Sequence, residues 1–410
     1  MSAAASLDVV VVGGGLGGLA AAACLRRSGH NVTVLEQSPR FGPVGGGIQL
    51  APNATSFLGR LGALEGLGGR AVAAEVSMRR RFEDGRLLGE YPLGAAVVER
   101  FGAPYLHAHR ADLHDALARV AFDARHPAPS VRLELGAQVL GVEQDGSGRA
   151  VVVTGDGRGF VGDVVVGADG IHSRLRSLVA AEEGASFSGD VAHRCIVPSS
   201  ALRERPELDE LTRRPSLTIW LGPGRHLVHY FVRGGEALNV VLCAPAGGEV
   251  AESWSADGSV AEVVAALEGW DERAVALVSL AESVQRTGLY DREPLETWVA
   301  DRVALLGDAC HPMLPYQAQG AAQAFEDAAV LAEELASVDS AGVPAALLAY
   351  QVRRQPRAAA VQRASRFNRH LFHLPDGDEQ RERDGRLAAL SGDFDSYAWI
   401  WTTPAKEDAR

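Results

Sequence analysis

The sequence predicts an α/β fold built on a parallel sheet, and three observations predict it. A β-branched run from Val9 leads through glycines into an Ala/Leu-rich helix and then a second strand. Two later segments, "DVVVGADGIHSRLR" from Asp163 and "RVALLGDACHPMLPYQAQGAAQAFEDA" from Arg302, repeat one grammar: an apolar strand, an acidic turn, a helix. Between them, "LTIWLGPGRHLVHYFVRGGEALNVVLCAP" alternates and turns as antiparallel strands do.

The first element is a βαβ unit. Strand "VVVV" runs into Gly13-Gly-Gly15-Leu16-Gly-Gly18, a helix follows to about Arg27, and "NVTVLEQ" forms a strand that stops at Glu36. Gly13 permits the tight turn, Gly15 lets backbone N–H groups approach a pyrophosphate at the helix N-terminus, and Gly18 allows close helix–strand packing. Glu36 stands where an acidic side chain accepts hydrogen bonds from a ribose diol, and its charge disfavours a 2′-phosphate. The unit reads as a dinucleotide site and does not choose between NAD and FAD. The uncharged run Val9–Leu25 is neither a signal nor a membrane span, because "MSAAASLD" has no basic region, glycines interrupt the run, and Asp8 and Arg26 close it.

The second element ends at Asp169-Gly170, with Ser173-x-x-Arg176 opening a helix, and the last ends at Gly307-Asp308. An Asp before Gly is also what a plain turn cap uses. Three such stops in one chain suggest that a single extended ligand touches several strand ends of one sheet. After Gly307-Asp308, Pro312 and Pro315 force extended backbone and Gln319-Gly320-Ala321 opens a helix, whose first N–H groups are free donors at a partly positive end.

In the middle segment, alternation puts His226, Val228 and Tyr230 on one face and Leu227 and His229 on the other. Arg194, Arg225 and Arg233 are available to an anionic ligand and read individually as solvated strand-end charges. Near the C-terminus, "RRQPRAAAVQRASRFNRH" reads as a helix with one solvated face, and "PDGDEQRERDG" as an exposed loop or tail.

Composition bounds the function. With 410 residues, 47% hydrophobic and 22% charged, the chain suits one large or two fused domains with ample core. A net charge of −12 disfavours nucleic acid as a partner. Cys24, Cys195, Cys243 and Cys310 are scattered and read as reduced thiols in a cytoplasm. His107-x-His109 and His226-x-x-His229 lack a nearby carboxylate or thiol cluster, so no metal is expected. No repeat or low-complexity tract points to a scaffold role.

Taken together and in this order, GGGLGG with Glu36, "GADGIHSRLR" and "LLGDACHPMLPYQAQGAAQAFEDA" resemble the class A FAD-dependent aromatic hydroxylases. The nearest look is the group of salicylate hydroxylase, 3-hydroxybenzoate 6-hydroxylase and 6-hydroxynicotinate 3-monooxygenase. The likeness runs from about Leu7 to Trp401 and takes in "GGGIQLAPNA", "HRADLHDAL" and "YDREPLETW".

The resemblance implies a Rossmann-like FAD-binding domain interleaved with a β-sheet substrate domain and closed by C-terminal helices. Its parts would be residues 1–75, 106–180 and 291–335 for the cofactor, 76–105 and 181–290 for the substrate sheet, and 336–410 for the helices. It implies FAD as cofactor and NAD(P)H and O₂ as co-substrates, with a C4a-hydroperoxyflavin hydroxylating a phenolic ring such as salicylate or a related hydroxybenzoate. No membrane is involved, and the chain is a monomer or homodimer. For the cofactor it implies Gly13, Gly15, Leu16, Gly18, Glu36, Gln37, Arg110, Val139, Asp169, Asp308, Gly320 and Ala321, with the N–H groups of Gly320 and Ala321 steadying the anionic reduced flavin.

For the substrate, the resemblance implies His226 and Tyr230 as the catalytic pair, His226 orienting the ring substituent and Tyr230 relaying the phenolic proton, with Gln49, Tyr105, Pro315 and Tyr316 lining the pocket. The chain departs from the 6-hydroxynicotinate enzymes at Gln49 and Tyr316, where they carry His, and from the 3-hydroxybenzoate enzymes at Pro315, where they carry Gln. An NAD-dependent dehydrogenase would leave the remote Gly307-Asp308 turn without a purpose. A non-hydroxylating flavoprotein, or a hydroxylase of a larger phenol, shares the same motifs.

Overall fold

The computed structural model describes residues 6–42, 45–180, 184–248, 256–393 and 395–402. β1 (Asp8–Val12), α1 (Leu16–Arg27) and β2 (Asn31–Glu36) form the expected βαβ unit, with β1 and β2 parallel and Val9 opposite Val32. β1 is nearly all Val because both faces of the sheet are covered, with α1 and a three-stranded antiparallel sheet of residues 139–162 packing against it, so alternation with polar residues would bury polar groups without gain. Two glycines are dictated by contact. Gly13 has φ +107°, and a Cβ there would sit 2.3 Å from the Ala168 carbonyl oxygen; a Cβ on Gly18 would sit 1.9 Å from the Gly13 carbonyl oxygen.

The chain then leaves the parallel sheet. β3 (Gly47–Leu50) pairs with β6 (Leu106–His109), while β4 (Val76–Arg81) and β5 (Leu87–Pro92) join a different, eight-stranded sheet. α2 (Arg110–Ala121) and β7 (Arg132–Leu135) return to the first unit, and β8 (Val164–Gly167) pairs with β1. The next strands build the eight-stranded sheet: β9 (Ser186–Pro198), β10 (Ser216–Gly222), β11 (Arg225–Val232), β12 (Ala237–Pro245) and β13 (Val284–Asp291). Its order is Ala256–Gly258, β13, β9, β12, β11, β10, β4, β5.

β14 (Val303–Leu305) closes the excursion by pairing with β8, which gives a six-stranded sheet ordered Val299–Ala300, β14, β8, β1, β2, β7. The ends of β1, β8 and β14 therefore lie side by side, and each is followed by one of the three acidic or glycine turns. α3 (Gly320–Leu335) packs on α1, where Gly17 lets Leu306 and Ala324 approach closely.

The C-terminal part differs from its sequence reading in two places. α4 (Val343–Phe372) is a helix, but its arginines are not simply a solvated face. Arg354 is 2% exposed and bonds Glu326 Oε2 and Asp327 Oδ1, both at 2.7 Å, and Arg357 joins it on Glu326. Acidic partners on α3 supply the charge that makes this burial tolerable. The segment read as a loop or tail is a helix, α5 (Asp378–Ala389), packed by Tyr91 and Gly89 of β5 against the backbone of Leu387. Its charged composition hid a helix whose stability comes from docking rather than an apolar stripe.

Among the described residues no helix is long and apolar enough to cross a membrane. The four cysteines carry no disulfide.

Candidate active site

The strand ends of the parallel sheet meet the inner face of the eight-stranded sheet at a cavity of about 430 Å³. Its first wall comes from backbone: Gly15, Leu16 and Gly17 of the glycine turn, Ala168 and Gly170, Leu306 to Asp308, and Ala318 to Ala321. Its second wall is a sheet face made of Ala192 and Arg194 of β9, Val241 and Cys243 of β12, and His226, Val228 and Tyr230 of β11. Gln49, Arg110, Met313, Leu314 and Pro315 also line it.

The first wall has the features of a dinucleotide cradle. A Cβ on Gly15 would meet nothing within 4 Å, so its outer side is open to a ligand. Glu36 receives the Gly14 N–H on one oxygen and the Ser38 N–H on the other, each at 2.8 Å, which fixes the carboxylate and leaves each oxygen acceptor capacity. Arg110 is half-buried and makes no ion pair with a described residue. Burial depresses its pKa, the nearby Asp308 carboxylate opposes that, and the like charge of Arg194 adds to it. Such a guanidinium is stabilised by an anion. Asp169 caps its own loop by accepting the Arg174 N–H at 2.8 Å, while its other oxygen is buried without a partner.

The helix start at Gly320 is also shaped for a ligand. The first intrahelical bond runs from Gln323 N–H to the Gln319 carbonyl at 2.9 Å, so the Gly320 and Ala321 N–H groups are unused among the described residues. Ala318 is held at φ +53°, in the left-handed region that costs a non-glycine residue energy, and this turns the chain into the helix. Gln319 is clamped by Asn53, whose amide donates to Gln319 Oε1 at 2.9 Å. The two acidic turns are tied together by Arg176, which donates to the Ala309, Asp308 and Ile171 carbonyls at 2.7, 2.9 and 3.0 Å. This tie is not readable from sequence, where Arg176 looks like the end of a short motif.

The second wall carries side-chain chemistry. His226 and Tyr230 share the pocket face, as alternation predicts. His226 is 3% exposed, and burial, with the nearby His373 and Arg79, drives its pKa well below the usual histidine value. It is therefore neutral, with a lone pair on one ring nitrogen. Tyr230 is raised by burial, against the pull of Arg194 and a hydrogen bond with Gln49. Tyr105 donates to Gln49 Oε1 at 2.8 Å, which orients the Gln49 amide so that its N–H groups face Tyr230.

Tyr105 and Tyr316 do not line the cavity. Tyr105 stands behind Gln49, and Tyr316 stands behind His226 with its hydroxyl donating to Asp190 Oδ2 at 2.7 Å. Both phenols donate to side-chain acceptors, Gln49 and Asp190, rather than to the space in front. Gln37 is exposed at the end of β2, and Val139 is buried in the strand Val139–Gln144.

Arg194 corrects the reading of it as a solvated strand-end charge. It lies inside the 13-residue β9, opposite Val241 on one side and Gln285 on the other, and it lines the cavity. It makes no ion pair or side-chain hydrogen bond with a described residue, unlike most arginines of this chain. Arg225 instead donates to the Ala266 carbonyl, and Arg233 is exposed. The nearest approach to a metal-ligand cluster among the described residues, Cys310, His311 and Asp327, is already occupied by protein partners. Asp327 takes His311 at 2.6 Å, the Gly307 N–H at 3.0 Å and Arg354.

The FAD binding domain family model matches residues 6–365. The chain is 40% identical over 395 residues to the 3-amino-4-hydroxybenzoate 2-monooxygenase PtnB3 of Streptomyces platensis, covering 96% of this chain and 95% of the relative. It is 36% identical over 400 residues to the 3-hydroxybenzoate 6-hydroxylase of Polaromonas naphthalenivorans, covering 97% and 96%. A salicylate hydroxylase in a substrate complex superposes with a TM-score of 0.82 at 28% identity, covering 99% of this chain and 97% of that one.

Proposed function

This chain belongs to the FAD binding domain family as a flavin-dependent aromatic monooxygenase, and from that premise we propose that its substrate is a one-ring phenolic carboxylic acid. The observation that carries this reading is Arg194: a cation that makes no ion pair or side-chain hydrogen bond with a described residue, on the same sheet face as His226 and Tyr230. A carboxylate would supply the missing partner in bidentate form. The cavity, which takes both the flavin head and the substrate, is at the small end of the range of about 300–1,000 Å³ for ligand sites. The named substrates of the relatives, a hydroxybenzoate and an aminohydroxybenzoate, have the same two features, a ring acid and a phenol.

For the cofactor, Glu36 would hold the adenosine ribose, and the turn Gly13 to Gly18 with Leu16, the α1 N-terminus and Arg110 would hold the pyrophosphate. Asp308 would hold the ribityl chain, with Gln37 and Val139 toward the adenosine end. Asp169 would serve the cofactor from the neighbouring turn. The unused N–H groups of Gly320 and Ala321 are donors for the anionic edge of a reduced flavin, fixed in place before the charge arrives. When bound and reduced by NAD(P)H, FAD would supply the activation of O₂, one atom of which ends in the ring and the other in water.

The protein's own residues prepare the ring. Arg194 fixes the acid end, which orients the phenol toward β11. His226, neutral and buried, accepts the phenolic proton, which makes the ring more nucleophilic. Gln49 donates to the Tyr230 oxygen, leaving the Tyr230 hydroxyl hydrogen free to bond the substrate oxygen. Pro315 and Met313 keep water from this end. Free thiols and a soluble reductant suit a cytoplasmic enzyme.

The test uses FAD-loaded protein with 3-amino-4-hydroxybenzoate, 3-hydroxybenzoate, salicylate and 6-hydroxynicotinate, and with the amide of each. NAD(P)H oxidation, O₂ uptake and hydroxylated product are followed together. At least one free acid is expected to give coupled turnover and its amide little. Equal turnover of acids and amides, or of phenols lacking the acid, would rule the reading out.

A further inference from the structure

Behind His226 the structure continues in a line of polar groups that leads away from the cavity. His226 Nδ1 lies 2.9 Å from Nε2 of His373, the residue that ends α4. His373 Nδ1 lies 3.7 Å from Asp190 Oδ2. Asp190 is 2% exposed and is held by Tyr316 and by Arg369, whose side chain is 38% exposed and reaches solvent. The His373 carbonyl also accepts the Gly224 N–H at 3.0 Å, which anchors the turn just before β11 and keeps the two imidazoles in register.

The tautomers follow from this arrangement. Asp190 is an acceptor, because the hydrogen bonds from Arg369 and Tyr316 outweigh the opposing effect of burial and hold its pKa below the usual carboxylate value. His373 Nδ1, at 3.7 Å, is beyond hydrogen-bond distance of Asp190, and the carboxylate's charge favours N–H at that nitrogen and a lone pair at Nε2. That makes His226 the donor at Nδ1 and leaves its Nε2 as a lone pair. Burial pushes the His373 pKa down to about 4 against the pull of Asp190, with Arg369 and Arg225 adding to the depression, and Arg79 acts likewise on His226. Both rings are neutral when substrate arrives.

We propose that His226, His373 and Asp190 form a proton exit from the substrate pocket, with His373 as a positioning residue that acts through His226. The inference rests on the reading above that His226 meets the substrate phenol. The phenolic O–H bond breaks and an N–H bond forms at His226 Nε2. The His226 Nδ1 proton passes to His373 Nε2, and the His373 Nδ1 proton leaves to solvent past Asp190 and Arg369. One proton crosses, no electrons move, and a phenolate is left in the pocket. Asp190 stabilises the cationic intermediate at His373 and so offsets the cost of charging a buried ring.

The experiment compares FAD-loaded wild type, His226→Gln and His373→Gln, with 3-hydroxybenzoate and 3-amino-4-hydroxybenzoate as probes. The phenolate absorbance of the bound probe is titrated against pH, and KM and kcat are measured across the same range. Glutamine keeps a hydrogen bond but cannot pass a proton. For His373→Gln the expected result is a bound-phenol pKa raised by about one unit, a kcat lowered about tenfold at neutral pH, and an almost unchanged KM. An unaltered titration in His373→Gln beside a shifted one in His226→Gln overturns the relay and leaves the proposed function standing; no shift in either overturns both. Should His373→Gln lose its flavin, the wild-type solvent isotope dependence decides. A curved proton inventory supports transfer of more than one proton, and a linear one overturns it.

Discussion

The two sheets present their ligand groups in different ways. The six-stranded parallel sheet works with its strand ends: the groups that face the cavity from it are mainly backbone and glycines without side chains, with Asp308 as the acidic residue among them. The eight-stranded sheet works with its face, offering Arg194, His226 and Tyr230 from non-adjacent positions on β9 and β11. A site made of strand ends is specified by a few consecutive residues. A site made of a sheet face is specified by which strands become neighbours.

That contrast predicts that damage to the first wall removes the cofactor, whereas damage to the second spares it and changes substrate handling. The largest effect is expected at Gly18. Gly18→Ala places a Cβ against the Gly13 carbonyl, backbone against backbone, where overpacking of this kind costs on the order of 1–3 kcal/mol or more. The variant should purify with little flavin absorbance and bind added FAD at least about tenfold more weakly, since about 1.4 kcal/mol is one decade. Yellow protein with wild-type affinity would break the comparison at its first wall.

Arg194→Met comes next. Hydrogen bonds to charged groups contribute about 1.5–3 kcal/mol, so KM for a carboxylated phenol should rise by roughly 10- to 100-fold. FAD content should stay at the wild-type level. Loss of flavin without a change in KM would move Arg194 from the substrate wall to the cofactor wall.

A smaller effect separates two histidines on one strand. His226 and His229 lie on opposite faces of β11; His226 has His373 as a partner, whereas neither ring nitrogen of His229 has one among the described residues and burial depresses its pKa to about 3. The unfolded chain takes up that proton near the ordinary value of about 6.5 and the folded one near 3, so the stability held at neutral pH is lost as the medium is acidified through this window. His229→Phe should therefore lose less Tm than wild type between pH 7 and pH 5, with kcat little altered. An identical Tm loss in both proteins would show that His229 is not buried and neutral.

The smallest effect is expected for Tyr105→Phe, which removes the 2.8 Å bond that orients Gln49. A loss of about 1 kcal/mol, or roughly fivefold in kcat/KM, is the scale of one neutral hydrogen bond. A hundredfold loss would place Tyr105 in direct contact with substrate instead.

How much of this was readable in the chain follows the same division. The βαβ unit with Glu36, the two acidic turns and the helix opening at Gly320 are contiguous words, and their conformational demands are local. The shared face of His226 and Tyr230 was also readable, because alternation needs only one strand. Arg194 was not, because "DVAHRCIVP" does not say whether β9 lies at the edge or between β13 and β12. His373 and Asp190 were missed for a similar reason: their partners lie 147 and 126 or more residues away, and an Arg-rich helix end ordinarily faces water. The docked helix α5 was hidden because its sequence lacks an apolar stripe.

The most direct measurement is the fate of oxygen. FAD-loaded protein is supplied with NAD(P)H, a hydroxybenzoate or aminohydroxybenzoate, and ¹⁸O₂, and the product is analysed by mass spectrometry. The account predicts one ¹⁸O atom in a new ring hydroxyl for a free acid, in step with NAD(P)H consumed. Reductant consumed only to peroxide with every acid tried, or a product whose new oxygen comes from water, would contradict it.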